Sequence, residues 1–362
     1  MFHPLRVSEV DRLTDDAVAV TFDVPPELRE TFRHTPGQHI AVRRAAPPGE
    51  PGTRGEIRRT YSICAPAGPE PALRVGIRLV EGGEFSTYAL KELAVGHTVE
   101  VMEPAGRFVL EPRPGHFAAV VGGSGITPVL SIAATLLARE PAARFCLVRS
   151  DRTVASTMFL EEVADLKDRF PDRFQLVTAV SREERQAGLG SGRLDRERLT
   201  RLLPALLPVT DIDGWFLCGP LGLVAGAERA LRGLGVRRDR IHQEIFHVDE
   251  ALTDAPTTET RAAPAPVGTA LSATLSATLD GRSGSWPVRE GESLLETVLR
   301  ARADAPYACK GGVCGTCRAF LVSGEVRMDR NFALEPDETE AGYVLACQSH
   351  PATEEVELDF DR

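Results

Sequence analysis

Three successive patterns of apolar and polar positions run along the chain. Up to about residue 112, short β-type runs recur at Val18–Phe22, Gln38–Val42, Leu73–Val80 and Thr98–Val101, separated by Pro36-Gly37, Pro47-Pro48-Gly49 and Glu81-Gly82-Gly83. Strand-forming runs at this spacing, with Gly and Pro between them, predict an antiparallel β-barrel over residues 1–112. From 113 to about 250 the rhythm changes. Apolar strands at His116–Val121, Arg144–Val148, Phe174–Val180 and Gly214–Cys218 alternate with helical patterns, the βαβ order of an open parallel sheet with helices on both faces. Residues 251–270 lack aromatics, carry three prolines and are expected to form a semi-extended linker. A third domain over 271–362 opens with a hairpin pattern, Leu271–Leu279, Asp280-Gly281 and strand residues through Val288. A short helix from Ser293 to Arg302 and a cysteine-rich loop follow.

Composition narrows the class. Hydrophobic residues make up 43% and charged residues 26% of the 362, ordinary values for folded protein. The longest apolar helical candidate, Val129–Ala138, is broken by Ser131 and Thr135 and falls short of the roughly 18 residues of a membrane span. The N-terminus has no apolar signal-peptide core, so a cytoplasmic protein without a membrane partner is expected. A net charge of −10 argues against nucleic acid, whose phosphates are held by excess Lys and Arg. From Thr269 to Arg362 there are 16 acidic and 9 basic residues, net −7, either a solvated acidic surface or a docking face for a basic partner.

The seven cysteines, an odd number, do not read as a disulfide framework. Four of them crowd into the last quarter: Cys309, Cys314 and Cys317 in the spacing C-x4-C-x2-C, then Cys347 after another 29 residues. This is the plant-type arrangement for a [2Fe–2S] cluster, in which two irons need four thiolates on a tight arc. Gly311, Gly312 and Gly315 let such a loop turn backbone N–H groups toward the sulfides. Zinc is the competing reading, but zinc sites usually use paired C-x2-C knuckles and only one pair exists here. Over Pro306–Cys317 and Gly342–Gln348 the segment resembles the plant-type ferredoxins, which implies an α+β, β-grasp [2Fe–2S] domain with those four cysteines as ligands.

Two further constellations carry chemistry. In Arg59-Thr60-Tyr61-Ser62, an arginine can pair with a pyrophosphate, a tyrosine offers a face to a fused ring, and a serine hydroxyl can bond the ring's reactive nitrogen. About 20 residues later, Gly82-Gly83-Glu84-Phe85-Ser86-Thr87 places two glycines before a helix start, where Ser86 and Thr87 can cap and hold phosphate oxygens. Both resemble the ferredoxin–NADP reductase family, which implies FAD bound through Arg59, Tyr61, Ser62, Gly83, Ser86 and Thr87. Val120–Val129 reads as strand, glycine turn and helix start; its Gly122-Gly123-Ser124-Gly125-Ile126-Thr127-Pro128 resembles that family's nicotinamide turn, with Gly123, Gly125, Thr127 and Pro128 as binding residues. Cys218-Gly219-Pro220 matches its C-G-P turn, which implies Cys218 and Ser62 as catalytic residues, the thiol beside the carbon that gives up hydride. Arg152, Ser181 and Arg182 follow two strands where relatives grip a 2′-phosphate, so NADPH is favoured over NADH, although Asp151 would stand awkwardly near that charge. Phe246, in His242-Gln243-Glu244-Ile245-Phe246, takes the place of a flavin-facing ring.

These sites explain one another. A nicotinamide gives up two electrons together, a [2Fe–2S] cluster takes one, and a flavin converts between them. Reductase first and ferredoxin last resembles the reductase components of bacterial multicomponent oxygenases, which implies an oxygenase as electron acceptor. Gly324–Leu334, which matches no cofactor motif, extends that resemblance to the reductases of phenylacetyl-CoA epoxidases. Reductases of steroid or aromatic-ring hydroxylases would share the same redox chain. A redox-sensing or binding module is the alternative from another class.

Overall fold

The structure, a computed structural model, describes residues 2–45, 56–69, 72–183, 192–247, 273–302, 305–307, 310–334 and 336–362. Cys309 and the expected linker at 251–270 lie outside them. The chain divides into two compact units, Met1–Asp249 and Glu250–Arg362.

The first unit opens with six strands: β1 (Phe2–Thr14), β2 (Ala17–Asp23), β3 (His39–Ala45), β4 (Glu56–Ser62), β5 (Leu73–Arg78) and β6 (Thr98–Met102). They pair antiparallel in the order β4-β3-β6-β1-β2-β5, and a bridge from Ile63 to Val75 joins the two edges into a barrel. The helix α1 (Glu84–Lys91) follows β5. Leu5, Val7, Val20, Ile40, Val42 and Val101 fill the interior. Pro4 is tolerated within β1 because β2 pairs with that strand only from Arg6 onward, leaving its first residues with β6 alone.

Five parallel strands follow: β7 (Gly115–Gly122), β8 (Ala143–Asp151), β9 (Phe174–Val180), β10 (Gly214–Pro220) and β11 (Ile241–His247), in the order β11-β10-β7-β8-β9. The helices α2 (Ile126–Arg139), α3 (Leu160–Arg169), α4 (Arg196–Leu206) and α5 (Leu221–Gly233) connect them. The residues that break the apolar run of α2 fasten the barrel to this sheet. Ser131 Oγ donates to Ala65 O at 2.7 Å, Thr135 Oγ1 accepts from Ala67 N at 2.9 Å, and Arg139 Nη2 donates to Ala67 O at 2.8 Å. Residues four apart share a helix face, so one stripe of α2 holds the segment that follows β4.

The second unit contains β12 (Thr274–Leu279), β13 (Arg282–Pro287), α6 (Leu294–Leu299), β14 (Arg318–Ser323), β15 (Val326–Met328), α7 (Pro336–Glu340), β16 (Tyr343–Leu345), β17 (Ser349–Pro351) and β18 (Glu355–Asp359). Its main sheet runs β13-β12-β18-β14-β16, with β12 and β18 parallel, and β15 pairs with β17 as a separate ribbon. Asp280 and Gly281, at φ 51° and 68°, make the turn between β12 and β13 that the Asp-Gly pair predicts. Ser293 and Glu296 form a capping box on α6, and the Leu295 N–H donates to Ala346 O at 2.9 Å, tying that helix to the residue before Cys347.

Candidate functional site

On the barrel side, β4 presents Arg59 and Ser62 to opposite surroundings. Arg59 is exposed, with one guanidinium N–H given to Arg58 O at 2.7 Å, whereas Ser62 is buried. Tyr61 packs against Phe85 of α1, and burial raises its hydroxyl pKa far above the ordinary value. Gly83 caps α1, and a Cβ there would lie 2.6 Å from Ser86 Oγ. Ser86 is buried and engaged in that turn: its hydroxyl donates to Gly83 O at 3.0 Å and accepts from Val80 N at 3.1 Å. Its hydroxyl therefore shapes the glycine turn, and Thr87 is the member of the pair that lines the adjoining cleft. That cleft, about 300 Å³, is lined by Arg44, Ile57, Gly82, Gly83, Glu84, Thr87, Tyr88 and Glu92, with the Arg44 guanidinium 3.9 Å above the Tyr88 ring. The aromatic face, the cation and the glycine turn suit the ring and polar parts of a flavin nucleotide, while Glu84 and Glu92 oppose an anion on their side of the cleft.

On the sheet side, the two glycine turns interlock. A Cβ on Gly125 would overlap the Cys218 carbonyl, so the start of α2 rests directly on the Cys218–Gly219 peptide. Gly219, at φ 139°, has its own hypothetical Cβ 2.8 Å from Gly122 O. The Thr127 hydroxyl is buried and donates to Ser124 O at 2.9 Å, and Pro128 lies buried in the first turn of α2. Arg78, at the end of β5, reaches across from the barrel: a Cβ on Gly123 would lie 3.0 Å from its Nη1. In sequence that arginine is only an inner residue of the Leu73–Val80 run. At the far edge, the Ser181 N–H donates to Asp151 O and the Arg182 N–H to Arg152 O, both at 2.9 Å, which carries the β8–β9 ladder onward and sets the two exposed arginines side by side. Asp151 turns inward instead. Its carboxylate is buried and accepts from Arg149 Nε at 2.7 Å, so its charge is neutralised within the sheet.

The two sides meet at one buried group of residues. Ser62 Oγ donates to Glu244 Oε2 at 3.3 Å, and His39 Nδ1 lies 3.7 Å from Glu244 Oε1. His39 pairs with Ser62 across β3 and β4, and Glu244 pairs with Cys218 across β11 and β10. Burial, and then the Glu244 charge, hold the Cys218 thiol well above its ordinary pKa, so it stays protonated at neutral pH. His39 and Glu244 were not singled out from sequence. Glu244 stood within the His242–Phe246 stretch, and only the three-dimensional pairing reveals its partners. Phe246 itself is half-buried against the core beside the register shift at Gly219/Pro220.

In the second unit, Cys317 hydrogen-bonds with Cys347 and lies near Cys314. A hydrogen bond to Cys347, then burial, then the nearby thiols raise the Cys317 pKa. Thr316 Oγ1, between two of these cysteines, is buried without a hydrogen-bond partner among the described residues. Among those residues no three His, Cys, Asp or Glu side chains converge as on a single metal ion. Cysteines this near one another and an orphaned buried hydroxyl fit a cationic iron–sulfur core, which would take the cysteines as thiolates and accept a hydrogen bond at a sulfur.

Comparison with known proteins fits this geometry. Residues 4–110 match the oxidoreductase FAD-binding domain, 120–229 the oxidoreductase NAD-binding domain, and 277–352 the 2Fe-2S iron-sulfur cluster binding domain. One of the subunits of the 1,2-phenylacetyl-CoA epoxidase of Escherichia coli K12 is 42% identical over 99% of this chain and 98% of its own. The chain belongs to the flavin and iron–sulfur reductase components of oxygenases. The ferredoxin reductase component of 3-ketosteroid-9-alpha-monooxygenase from Rhodococcus rhodochrous is 32% identical to this reductase over 98% of this chain and 96% of its own. Phthalate dioxygenase reductase shares its fold at TM-score 0.58 and 23% identity, covering 99% of this chain and 98% of that one. The reductase therefore uses FAD, a pyridine nucleotide and a [2Fe–2S] cluster. Among the described residues no helix is long and apolar enough to cross a membrane.

Buried thiols give this reductase a defined alkaline limit. Burial pushes Cys64 and Cys146 up to about 12, and Cys218 is raised as well. Unfolded, these thiols ionise near pH 9, so the folded state has the full advantage below that pH and loses it as pH rises toward 12. Stability measured by denaturant titration should fall steadily between pH 9 and 11, and Cys64→Ala/Cys146→Ala should flatten the decline. An unchanged slope in that variant would refute the assignment.

Proposed function

We propose that this reductase takes hydride from NADPH in the cytoplasm and passes electrons singly to the oxygenase component of a phenylacetyl-CoA epoxidase. The observation that carries the reaction is the meeting of Ser62, His39 and Glu244 with Cys218 at the seam of barrel and sheet. Bound FAD and the [2Fe–2S] cluster would supply the conversion of one hydride's electron pair into single electrons. The chain's own residues do the rest. Gly123 lets backbone approach the dinucleotide pyrophosphate beside Arg78, a cation already paired with Asp16 at 3.3 Å, and Gly125 supports that turn by admitting the Cys218–Gly219 peptide. Cys218, neutral and fully buried, keeps charge and water out of the floor beneath the C-G-P turn. Ser62 holds a proton at Oγ, and Glu244 with His39 provides hydrogen-bonding groups beside it through which that proton can move. Cys309, Cys314, Cys317 and Cys347 are the residues proposed to hold the cluster.

Arg152 and Arg182 support NADPH. They stand adjacent and exposed at the C-terminal edge of the sheet, and the carboxylate that would oppose a 2′-phosphate is paired internally with Arg149. Arg152→Ala/Arg182→Ala should raise KM for NADPH about tenfold, the worth of ~1.4 kcal/mol, and leave KM for NADH within about twofold. Equal effects on both nucleotides would remove the NADPH assignment.

For the acceptor, the support is whole-length 42% identity to the epoxidase component, against 32% for the 3-ketosteroid monooxygenase component. Steady-state turnover with each purified oxygenase component should favour the phenylacetyl-CoA epoxidase. Higher turnover with the steroid monooxygenase would assign the second acceptor instead.

A further inference from the structure

The stretch Gly324–Leu334 is accounted for by no nucleotide or cluster motif, yet in the second unit it braces the cysteine loop. Its strand β15 pairs with β17, the Asp329 N–H donates to Gln348 O at 2.8 Å, and the Phe332 N–H donates to Gly312 O at 3.1 Å. Asn331 secures the turn between them: its Oδ1 accepts from Leu334 N at 2.9 Å, and its Nδ2 donates to Leu334 O at 3.2 Å. Gly312 is buried at φ 77°, and a Cβ there would lie 3.0 Å from both Arg330 O and Gln348 Cγ. Brace and loop are in contact, with Gln348 between them.

The Gln348 side-chain nitrogen lies 2.8 Å from Lys310 O, 3.1 Å from Cys347 O and 3.6 Å from Cys347 Sγ. All three neighbours are acceptors, which fixes which end of the amide faces them. Lys310 opens the loop that carries Cys314 and Cys317, whereas Cys347 comes from the connection between β16 and β17. One side chain therefore ties together the two parts of the chain that supply cysteines. In a trans peptide the C=O and the following N–H point opposite ways. Holding the carbonyls of Lys310 and Gly312 on the brace side therefore turns the N–H groups of Gly311 and Val313 away from it.

We propose that Gln348 is the positioning residue of the iron–sulfur centre: it locks the cysteine loop in register and directs an N–H at the Cys347 sulfur, raising the reduction potential. The inference rests on the reading of the four cysteines as cluster ligands. Its physical basis is that an N–H dipole aimed at a ligand sulfur stabilises the negative charge that arrives on reduction. Gln348→Met keeps the length of the side chain and removes the donor, while Gln348→Glu replaces the donor with an acceptor.

The test is an EPR-monitored redox titration of the full-length, cluster-loaded protein. Gln348→Met should disfavour cluster reduction about tenfold, or ~59 mV for one electron, and alter the reduced-state g-values. Gln348→Glu should shift it further in the same direction, with the flavin midpoint unmoved in both. Should Gln348→Glu lose its cluster during purification, Gln348→Met alone decides. A wild-type midpoint in Gln348→Met would overturn the inference while leaving the cluster reading intact. A wild-type chain lacking [2Fe–2S] absorption after anaerobic reconstitution would overturn both.

Discussion

The first unit depends on one close approach. The start of α2 rests on the Cys218–Gly219 peptide so tightly that a side chain at Gly125 would overlap the Cys218 carbonyl. That contact puts the N-terminus of a helix at the C-terminal edge of the parallel sheet, where α/β folds bind anionic ligands. It also brings the Gly122–Pro128 turn and the Cys218–Pro220 turn together, so the thiol and the start of α2 belong to a single packed feature. Gly219, at positive φ against Gly122, completes the interlock from the opposite turn.

A second linkage makes that feature useful. The polar stripe Ser131, Thr135 and Arg139 of α2 grips the backbone of Ala65 and Ala67, directly after the strand that carries Ser62. The helix that starts at the Gly123–Gly125 turn thus also holds the barrel, and Ser62 reaches Glu244 across the seam. Each hydrogen bond contributes only about 1 kcal/mol, but the three are buried or half-buried and act on one short segment. A hydride must pass over a distance of ångströms, and such transfer tolerates little looseness between the two halves.

How much of this was legible in sequence follows from what each signal measures. The buried strands β7, β8 and β10 are continuous apolar runs, so they announced themselves, as did the Asp280-Gly281 turn. β11 did not, because Ile241-His242-Gln243-Glu244-Ile245-Phe246 is half polar and lies at the sheet edge. β1 was missed because Pro4 and its charged residues hide the alternation of Leu5 and Val7. Glycine and cysteine motifs were readable because they are local in sequence and chemically costly to replace. Arg78, His39 and Glu244 were not, since their meaning lies in neighbours tens to hundreds of residues away. Ser131 and Thr135 were read as interruptions of an apolar helix, and they prove to be its attachment points. Asp151 seemed out of place beside a phosphate site until its burial against Arg149 was seen.

One chain receives the electron pair of a hydride in its first unit and releases single electrons from its second. An anaerobic titration with NADPH, followed by visible absorption and low-temperature EPR, tests it most directly. Flavin bleaching together with a rhombic reduced-cluster signal is the expected result. Flavin bleaching with an EPR-silent, still oxidised cluster would contradict it.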